Sequence, residues 1–445
     1  TTAHISPKSL TVSVNTASNK TYDSNSSATV TVTLSGFVGS ETLTYTNTSS
    51  FNNKNVGTGK TVTVNSITLA DGNNGGLASN YSVTPGQTTT ANIAANITAK
   101  SLTVSGITAS SKTYDGSASA TLDTSSVLYT GLISGDTFNG SYSGAFGNAN
   151  VGTAKTVTIT PSYTGADVSN YDITDQTSTT ADISAKALTA TASVSNKTYD
   201  ATNFAAATLS ISGLVGSETL SATNTSTFNN KNVGTGKTVT VNSITLADGS
   251  NGGLAANYSI SAGQTTTANI TAKSLTVSGI TASNKTYDGN ATATLDASSV
   301  AYSGLISGDT FNGTFAGAFS DKNVGTGKTV TITPSYSGAD VSNYSVTDQS
   351  STTANITAKA LTVSGITASN KTYDGSTSAT LDSSSVVYSG LVNGDTFIGS
   401  YTGAFSNANV GTGKTVNITS SYSGTDVNNY SVTDQSSATA DTVSY

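Results

Sequence analysis

The residues with the most chemical potential in this sequence recur at fixed places along it. An aspartate follows a tyrosine in five Lys-Thr-Tyr-Asp strings: Asp23, Asp115, Asp200, Asp288 and Asp374. An aspartate there can cap its own turn by accepting a hydrogen bond from the backbone. It can also supply a carboxylate to a Ca²⁺ ion at a joint between domains, although Ca²⁺ takes about six to eight oxygen ligands. Because no Asp-x-Asp-x-Asp cluster is present, the sequence favours the turn over the calcium site.

Two series of tyrosines are candidates for a carbohydrate-stacking face. One series precedes the aspartates and the other follows an asparagine: Tyr22, Tyr114, Tyr199, Tyr287 and Tyr373, with Tyr81, Tyr171, Tyr258, Tyr344 and Tyr430. Tyrosines at such positions also pack at a sheet edge with the hydroxyl bonded to backbone, as in the tyrosine corner of sandwich folds. The sequence favours packing.

Five lysines stand at the predicted boundaries between domains: Lys8, Lys100, Lys186, Lys273 and Lys359. They are either solvated or bonded to a neighbouring carbonyl, or they form an intramolecular Lys–Asn isopeptide crosslink. The crosslink needs a buried lysine beside an asparagine and a carboxyl group, and burial of a lysine without such partners is costly. The solvated state is therefore favoured.

Catalytic chemistry has little support in this sequence. His4 is the only histidine and no cysteine is present, so a Ser-His-Asp or Cys-His system is excluded beyond the first copy. Histidine-based zinc sites are excluded on the same ground. We therefore predict that the chain is not an enzyme and has no catalytic, cofactor-binding or metal-binding residues.

Threonines and asparagines suggest two further surface functions. Outward threonines on predicted strands can form a flat face for ice or glycans, but threonine is also an ordinary solvent-facing strand residue; they are Thr61, Thr63, Thr156, Thr158, Thr238 and Thr240. The glycosylation sequons at Asn47, Asn80 and Asn96 are expected by chance in a chain so rich in Asn, Ser and Thr.

Composition limits the class of protein. Charged residues make up 10% of the chain, hydrophobic residues 35%, and the net charge is −7. The absence of lysine or arginine clusters makes nucleic acid an unexpected partner. No run of about 18 apolar residues exists, so we expect no membrane insertion in this segment. The chain lacks methionine even at position 1, and we expect it to be part of a longer protein.

Three strings recur five times in the same order. Lys-Thr-Tyr-Asp begins at Lys20, Lys112, Lys197, Lys285 and Lys371, at intervals of 85 to 92 residues, and Asn-Val-Gly-Thr and Asn-Tyr follow each time. The period exceeds that of a solenoid turn and fits an autonomous small β-domain. Copies one and three (type A) share Gly-Ser-Glu, whereas copies two, four and five (type B) share Gly-Asp-Thr-Phe. The predicted domains are 1–99, 100–185, 186–272, 273–358 and 359–445, and Ala3 to Lys8 align with the closing strand of a copy upstream.

Copy two illustrates the expected strands. Leu102 and Val104 alternate with polar residues, and Val157 and Ile159 do so between threonines, as in half-buried strands. About seven to nine short strands with regular turn signals predict a sandwich or barrel. At most one turn of helix fits between Gly131 and Asp136, so a β-grasp-like fold, which needs a real helix, is the alternative.

The joints between copies are short. Ala185 runs directly into Lys186, and Ala272 and Ala358 are followed by lysine in the same way. A linker this short cannot act as a flexible coil. The fold class predicted is therefore all-β: five tandem Ig-like β-sandwich domains forming an elongated rod, roughly 200 Å long at about 3.3 Å per strand residue.

The set of motifs resembles the YDG and mostly-β-glycine repeats of large secreted bacterial adhesins of the filamentous-haemagglutinin-like kind. The matching residues are Lys112 to Gly116, Lys285 to Gly289 and Lys371 to Gly375, each followed by Gly-Leu-x-x-Gly-Asp, Asn-Val-Gly-Thr and Asn-Tyr. Copies one and three depart from it, with Ser24 and Ala201 in place of the glycine. The resemblance implies secretion, surface display and service as a stalk, without catalytic residues.

These expectations give three functional hypotheses. The first is a non-catalytic stalk that extends an adhesive tip from a cell or knits a biofilm matrix. The second is an array of weak glycan-binding repeats that gains by avidity. The third is self-association into a filament by strand addition through an open first or last strand. Host or matrix glycans or proteins, or further copies of the chain, are the expected partners.

Overall fold

The computed structural model describes residues 2–83 and 93–445, and within these ranges the chain is built from strands. Its only helical segments in this part are five 3₁₀ turns of three residues: Ala78–Asn80, Val168–Asn170, Ala255–Asn257, Val341–Asn343 and Val427–Asn429. The β-grasp alternative therefore lacks its helix. No helix among the described residues is long and apolar enough to cross a membrane.

The described residues of the first two repeats form eighteen strands. Those of repeat 1 are β1 (Lys8–Ala17), β2 (Lys20–Thr21), β3 (Ser27–Ala28), β4 (Val30–Ser35), β5 (Leu43–Phe51), β6 (Gly57–Asp71), β7 (Tyr81–Val83) and β8 (Ala94–Thr98). Those of repeat 2 are β9 (Lys100–Ser105), β10 (Thr108–Ala109), β11 (Lys112–Thr113), β12 (Ser119–Ala120), β13 (Leu122–Asp123), β14 (Leu128–Thr130), β15 (Asn139–Phe146), β16 (Gly152–Thr164), β17 (Tyr171–Thr174) and β18 (Ser178–Ser184).

The remaining three repeats follow the same order of elements. Repeat 3 has β19 (Lys186–Val194), β20 (Lys197–Thr198), β21 (Ala207–Ser212), β22 (Leu220–Phe228), β23 (Gly234–Asp248), β24 (Tyr258–Ile260) and β25 (Thr265–Thr271). Repeat 4 has β26 (Lys273–Ser278), β27 (Thr281–Ala282), β28 (Lys285–Thr286), β29 (Thr292–Ala293), β30 (Leu295–Asp296), β31 (Ala301–Ser303), β32 (Asn312–Phe319), β33 (Gly325–Ser337), β34 (Tyr344–Thr347) and β35 (Ser351–Thr357). Repeat 5 has β36 (Lys359–Ser364), β37 (Thr367–Ala368), β38 (Lys371–Thr372), β39 (Ser378–Ala379), β40 (Leu381–Asp382), β41 (Val387–Ser389), β42 (Ile398–Phe405), β43 (Gly411–Ser423), β44 (Tyr430–Thr433) and β45 (Ser437–Val443).

Each repeat has a three-stranded sheet and a sheet of four or five strands, and repeats 2, 4 and 5 add a two-stranded sheet, which is β10-β13 in repeat 2. A three-stranded sheet has the order β14-β9-β17, and a five-stranded sheet has the order β11-β18-β16-β15-β12. The entry strand β9 pairs parallel with β17, and the short β11 pairs parallel with the exit strand β18. The predicted all-β array of five tandem Ig-like β-sandwich repeats is therefore confirmed, with parallel pairs that the sequence analysis did not anticipate.

Period-two alternation correctly predicts which side chains of the strands face inward. Leu102, Val104, Val157 and Ile159 are all buried. The turn of helix that the sequence allows between Gly131 and Asp136 is not formed, because Gly131 and Gly135 have φ values of 101° and 95°. These values lie in the left-handed region, which interrupts a right-handed helix. The 3₁₀ turn of repeat 2 lies instead just before Tyr171.

The chain divides into two compact units, and the division falls inside repeat 3. Unit 1 comprises Thr1–Ala190, Ile211–Thr223 and Thr245–Ser261, and unit 2 comprises Thr191–Ser210, Asn224–Ile244 and Ala262–Tyr445. Unit 1 thus contains the joints between repeats 1 and 2 and between repeats 2 and 3. Unit 2 contains the joints between repeats 3 and 4 and between repeats 4 and 5.

Hydrophobic clusters continue across these joints. In unit 1, Phe51 and Ile97 of repeat 1 share one cluster with Leu102 and Ile107 of repeat 2. In unit 2, residues of repeat 4 such as Val330 cluster with residues of repeat 5 in the same way. Repeats 1 to 4 therefore each share part of their hydrophobic core with the next repeat, and the autonomy of the single repeats stays a prediction.

The segments at the joints are short, as predicted. A single alanine separates the last strand of each repeat from the first strand of the next: Ala99, Ala185, Ala272 and Ala358. The segment before Lys8 differs from the expectation that it forms a closing strand. Residues 2–7 are exposed and in no strand, because such a strand would pair with a sheet of the repeat that it closes.

Candidate functional site at the joint between repeats

The two tyrosine series meet at the joints. Tyr22 of repeat 1 packs edge to face on Tyr171 of repeat 2, with ring centroids 5.6 Å apart. The same contact recurs at the other three joints, between Tyr114 and Tyr258, Tyr199 and Tyr344, and Tyr287 and Tyr430. All eight rings are buried, whereas Tyr373 of repeat 5 is 49% exposed. The predicted packing is confirmed, but its partner is a second tyrosine from the next repeat.

Carboxylates accept hydrogen bonds from the hydroxyl groups of these tyrosines. Tyr171 donates a hydrogen bond of 2.6 Å to Asp136 within repeat 2 and accepts one from the Ile133 backbone. Tyr22 donates across the joint to Asp167 at 3.2 Å. The predicted bond between hydroxyl and backbone thus exists for Tyr171, and the bond of Tyr22 goes to a carboxylate. Both hydroxyls are satisfied, as buried polar groups require.

A lysine from the preceding repeat neutralises these carboxylates. Lys54 lies 2.7 Å from Asp167 and 3.4 Å from Asp136, whose side chain is fully buried. Ser24 of repeat 1 also donates to Asp136 at 2.6 Å. Lys231 in the third joint and Lys322 in the fourth form the same ion pairs. A buried carboxylate is tolerated here because it is both paired and hydrogen-bonded.

The pKa values of these groups shift in the directions that an ion pair imposes. The ion pair with Asp167 and the nearby Tyr22 hydroxyl raise the pKa of Lys54 above its usual value. The Lys54 ammonium and the Thr137 backbone amide lower the pKa of the Asp167 carboxyl. Burial, together with the neighbouring Asp136, raises the pKa of Tyr171 to about 12. At neutral pH the joint therefore holds charged Lys and Asp groups beside neutral tyrosines.

An asparagine completes the joint by bridging two backbones. Asn170, fully buried at the end of its 3₁₀ turn, accepts a 2.9 Å hydrogen bond from the Val56 amide of repeat 1 and donates to Asn55. The Val151, Val233 and Val324 amides donate to Asn257, Asn343 and Asn429 at the same distance. The recurring Asn-Val and Asn-Tyr strings thus bind each other across every joint.

The second joint uses a different charge pattern. Glu218 of repeat 3 accepts hydrogen bonds from Tyr114 at 2.7 Å and from Tyr258 at 2.6 Å. Ala149 occupies the place of the joint lysine, and Leu254 occupies the place of Asp167. Burial, with the adjacent Glu218, raises the pKa of Tyr114 to about 12. The second joint therefore contains one carboxylate and no lysine, whereas the other joints contain two carboxylates and a lysine.

The five aspartates that follow a tyrosine are turn residues, as predicted. Asp115 accepts from the Ser117 amide at 2.9 Å and from Lys112 at 2.8 Å. Asp23, Asp200, Asp288 and Asp374 make the same pair of contacts with the lysine and the backbone. No group of three or more acidic or histidine side chains within residues 2–83 and 93–445 is placed to hold a metal ion.

The remaining predicted residues differ in exposure. His4 is exposed, and the threonines named above are exposed or half-buried along their strands. Lys8 is exposed, and Lys100, Lys186, Lys273 and Lys359 are half-buried, whereas an isopeptide crosslink needs a buried lysine. Sequence reasoning missed the joint lysines, Asp167 and its counterparts, although the alternation of Lys with Ala at one position was a visible signal.

The chain belongs to the YDG domain family. The family model for the YDG domain matches residues 6–91, 98–180, 184–268, 271–354 and 357–439. The suspected kinship with YDG-type repeats is thereby confirmed, and the chain is a tandem-repeat protein. No curated protein matches it in a sequence comparison.

Several solved structures resemble the chain weakly. The match to the I9–I11 tandem of titin covers 58% of this chain and 100% of the titin chain, at 11% identity and a TM-score of 0.16. Drosophila N-cadherin EC1-4 covers 76% and 99% at 7% identity and a TM-score of 0.16. Domains 4–9 of the surface layer protein SbsC cover 95% and 82% at 11% identity and a TM-score of 0.18. Scores this low do not establish a shared fold.

Proposed function

We propose that this chain is the non-catalytic stalk region of a secreted bacterial surface adhesin or biofilm matrix protein, where it extends an adhesive tip from the cell. The observation that supports this function most directly is the joint. A buried pair of tyrosines and a hydrogen bond from a valine amide to an asparagine recur at all four places where one repeat follows another.

Each joint is built to resist bending. A one-residue link removes the freedom of a coil, and a cluster of buried apolar side chains continues from one repeat into the next. Bending a joint would expose this apolar surface and would break the hydrogen bond between the asparagine and the valine amide. Loss of a buried hydrogen bond leaves an unsatisfied donor, which costs about 1–3 kcal/mol.

Small-angle X-ray scattering of the full chain tests the stalk function. A stiff chain of five repeats gives a maximum dimension of roughly 200 Å at about 3.3 Å per strand residue. A matched variant carrying Tyr287→Ala and Asn429→Ala weakens only the fourth joint, so its scattering should show a shorter and broader distance distribution. A compact or freely jointed wild-type chain would contradict the proposal.

The ligand-binding hypothesis receives less support from the site. Eight of the ten tyrosines that would form a carbohydrate face are buried at the joints, Tyr81 is buried in repeat 1, and Tyr373 is exposed. Host or matrix glycans or proteins stay proposed partners of the extracellular array. A glycan array probed with the full chain tests them, and binding that survives Tyr373→Ala would place any glycan site elsewhere.

A further inference from the structure

Two kinds of residue meet at each joint: those that every joint shares and those that differ between joints. The surface of a repeat that meets the next repeat is called its distal face, and the surface that meets the preceding repeat is its proximal face. The tyrosine pair and the bond from a valine amide to an asparagine are present at all four joints. Because these contacts would form between any two repeats, only the variable positions can distinguish one neighbour from another.

The first variable position lies just before the Asn-Val-Gly-Thr string on the distal face. It is a lysine in three joints and an alanine in the second: Lys54, Lys231, Lys322 and Ala149. Each lysine meets two aspartates of the proximal face, at distances of 2.7 to 3.4 Å. The alanine precedes a proximal face with Glu218 and Leu254. The number of carboxylates on the proximal face therefore follows the charge on the distal face.

A proximal face with two aspartates needs the lysine. The side chain of Asp136 is fully buried and that of Asp167 is 8% exposed. Lys54 and the Thr137 amide lower the pKa of Asp167, whereas the neighbouring Asp136 carboxylate opposes this shift. Like charges repel each other in a buried site, and removal of one partner of a buried ion pair is strongly destabilising. A distal face with alanine would leave both carboxylates without a cation.

The second variable position follows the Lys-Thr-Tyr-Asp string and is limited by size. It is occupied in turn by Ser24, Gly116, Ala201 and Gly289. A Cβ atom on Gly116 would lie 2.9 Å from Cγ1 of Val215 in the next repeat, and one on Gly289 would lie 2.8 Å from Cγ1 of Val392. Separations this short would force one of the two residues to shift. A proximal face with valine therefore needs a glycine on the distal face.

The two residues larger than glycine at this position contribute to their joints. Ser24 and Ala201 have φ values of 65° and 62°, a left-handed conformation that is unfavourable for residues with a Cβ atom. Ser24 donates a 2.6 Å hydrogen bond to Asp136 of repeat 2, and Ala201 packs in the hydrophobic cluster shared with repeat 4. The proximal faces that they meet have isoleucine in place of the valine, at Ile133 and Ile306.

We propose that these two variable positions determine which repeat can follow which. The distal face of repeat 2, with glycine and alanine, accepts repeat 3, with valine and one carboxylate, and rejects repeats that carry two aspartates. The distal faces of repeats 1 and 3 accept repeats 2 and 4, and their serine or alanine excludes the valine of repeats 3 and 5. Repeat 4 combines glycine with lysine and fits repeat 5, which combines valine with two aspartates.

This selection goes beyond the stalk function and does not depend on it. Repeats 2, 4 and 5 are of one type and share the contacts common to all joints, so those contacts alone would allow repeat 2 to pack on repeat 4 or 5. The variable positions oppose such packing, both within one chain and between two copies. At every joint, the neighbour that the distal face accepts is the repeat that follows it in the sequence.

Amide hydrogen exchange of the full chain at neutral pH tests the charged position. Lys322→Ala gives repeat 4 the alanine of repeat 2, and the exchange rate of the Val324 amide should rise about tenfold or more. Asp426→Asn in the same chain removes one carboxylate but keeps an acceptor for the Thr396 amide, so it should restore most of the protection. An unchanged rate in Lys322→Ala, or a loss that persists in the double variant, would overturn the proposal.

The reciprocal change at the second joint separates selection from a general effect of lysine. At the three joints with a lysine, the shorter ion pair goes to the aspartate that Leu254 replaces. Ala149→Lys should therefore give the Val151 amide no additional protection. A fall in its exchange rate of about tenfold would show that lysine strengthens any joint and would refute selection by charge. Thr156→Ala, at an exposed strand position, is the control and should leave the exchange rate unchanged.

The position limited by size has its own test. Gly116→Ala gives repeat 2 the residue of repeat 3 and should raise the exchange rate of the Val151 amide. Val215→Ala in the same chain makes room for the new Cβ atom and should lower the rate again. Gly375→Ala measures backbone strain alone, because nothing lies within 4 Å of a Cβ atom at that position. Equal thermal destabilisation by the two glycine variants, or no recovery with Val215→Ala, would exclude selection by size.

Discussion

The ring of Tyr287 in repeat 4 meets the ring of Tyr430 in repeat 5 edge to face, with centroids 5.6 Å apart and an angle of 78° between the planes. Both hydroxyls donate to the same oxygen of Asp395, at 2.9 and 2.5 Å. Tyr287 is 1% exposed, whereas Tyr373, its counterpart in repeat 5, is 49% exposed. The tyrosine at this position is therefore buried in the joint in repeat 4 and half exposed to solvent in repeat 5.

Truncation of these two tyrosines should have very different effects. Tyr287→Ala removes a buried ring and should destabilise the fourth joint by about 3–5 kcal/mol. Tyr373→Ala should change stability by less than about 0.5 kcal/mol at low protein concentration. Amide hydrogen exchange of repeats 4 and 5 measures both. Equal losses of protection in the two variants would refute the assignment of the Tyr287 ring to the joint.

The bridging asparagine offers a second matched pair. Asn343→Ala leaves the Val233 amide without its acceptor and removes the bond to Asn232, which should cost about 1–3 kcal/mol. Asn80 occupies the same place in repeat 1 and is exposed, so Asn80→Ala should be nearly neutral. The exchange rate of the Val233 amide is the direct readout, and it should rise only in the Asn343 variant.

Alanine substitutions at two glycines distinguish the cost of backbone strain from the cost of crowding at the joint. Gly289 and Gly375 have φ values of 83° and 76°, so alanine at either position is strained by about 1 kcal/mol or more. Only at Gly289 would the new Cβ atom press on Val392, which should add about 1–3 kcal/mol. Thermal unfolding of Gly289→Ala and Gly375→Ala compares them, and identical midpoints would exclude a close approach at the joint.

Acid should weaken the joints that contain a lysine. Hydrogen bonding from the Thr396 amide, together with the Lys322 ammonium, lowers the pKa of Asp426, whereas an unfolded aspartate has a pKa of about 3.9. The resulting stability is fully present above that unfolded value and is lost as the pH falls through the lower pKa of the folded state. Hydrogen exchange across the fourth joint between neutral pH and strong acid should show this loss.

Lys322→Ala is the control for the acid effect. The variant removes the cation but keeps the Thr396 amide, so the joint should be weaker at neutral pH and should lose less on acidification. The pKa of Lys322 is raised, chiefly by Asp426, and its contribution should therefore persist until the pH exceeds the usual lysine value of about 10.4. An acid dependence that is unchanged in the variant would contradict the ion pair.

Local patterns in the sequence predicted what lies within one repeat. Alternation placed Val157 and Ile159 inward, and the short Lys-Thr-Tyr-Asp string was correctly interpreted as a turn that Asp115 caps. These features depend on residues close together in the chain, where strand period and turn chemistry decide the structure. The order and number of repeats followed from exact recurrence of three strings.

The joint was not predictable in the same way. Its central hydrogen bond joins Asn170 to Val56, which are 114 residues apart in sequence, and no periodicity reports on such a contact. The sequence predicts Tyr171 at a sheet edge but does not indicate that Tyr22 covers it. Ala149 stands in repeat 2 where repeat 1 has Lys54, and Leu254 stands in repeat 3 where repeat 2 has Asp167. These paired differences were the one sign of the contact in the sequence.

The span of these hydrogen bonds sets the order in which the protein is completed during synthesis. The Val56 amide can form its hydrogen bond only after Asn170 has been synthesised. The Val324 amide likewise needs Asn429, which lies 105 residues later. No joint can therefore form before most of the following repeat has been synthesised.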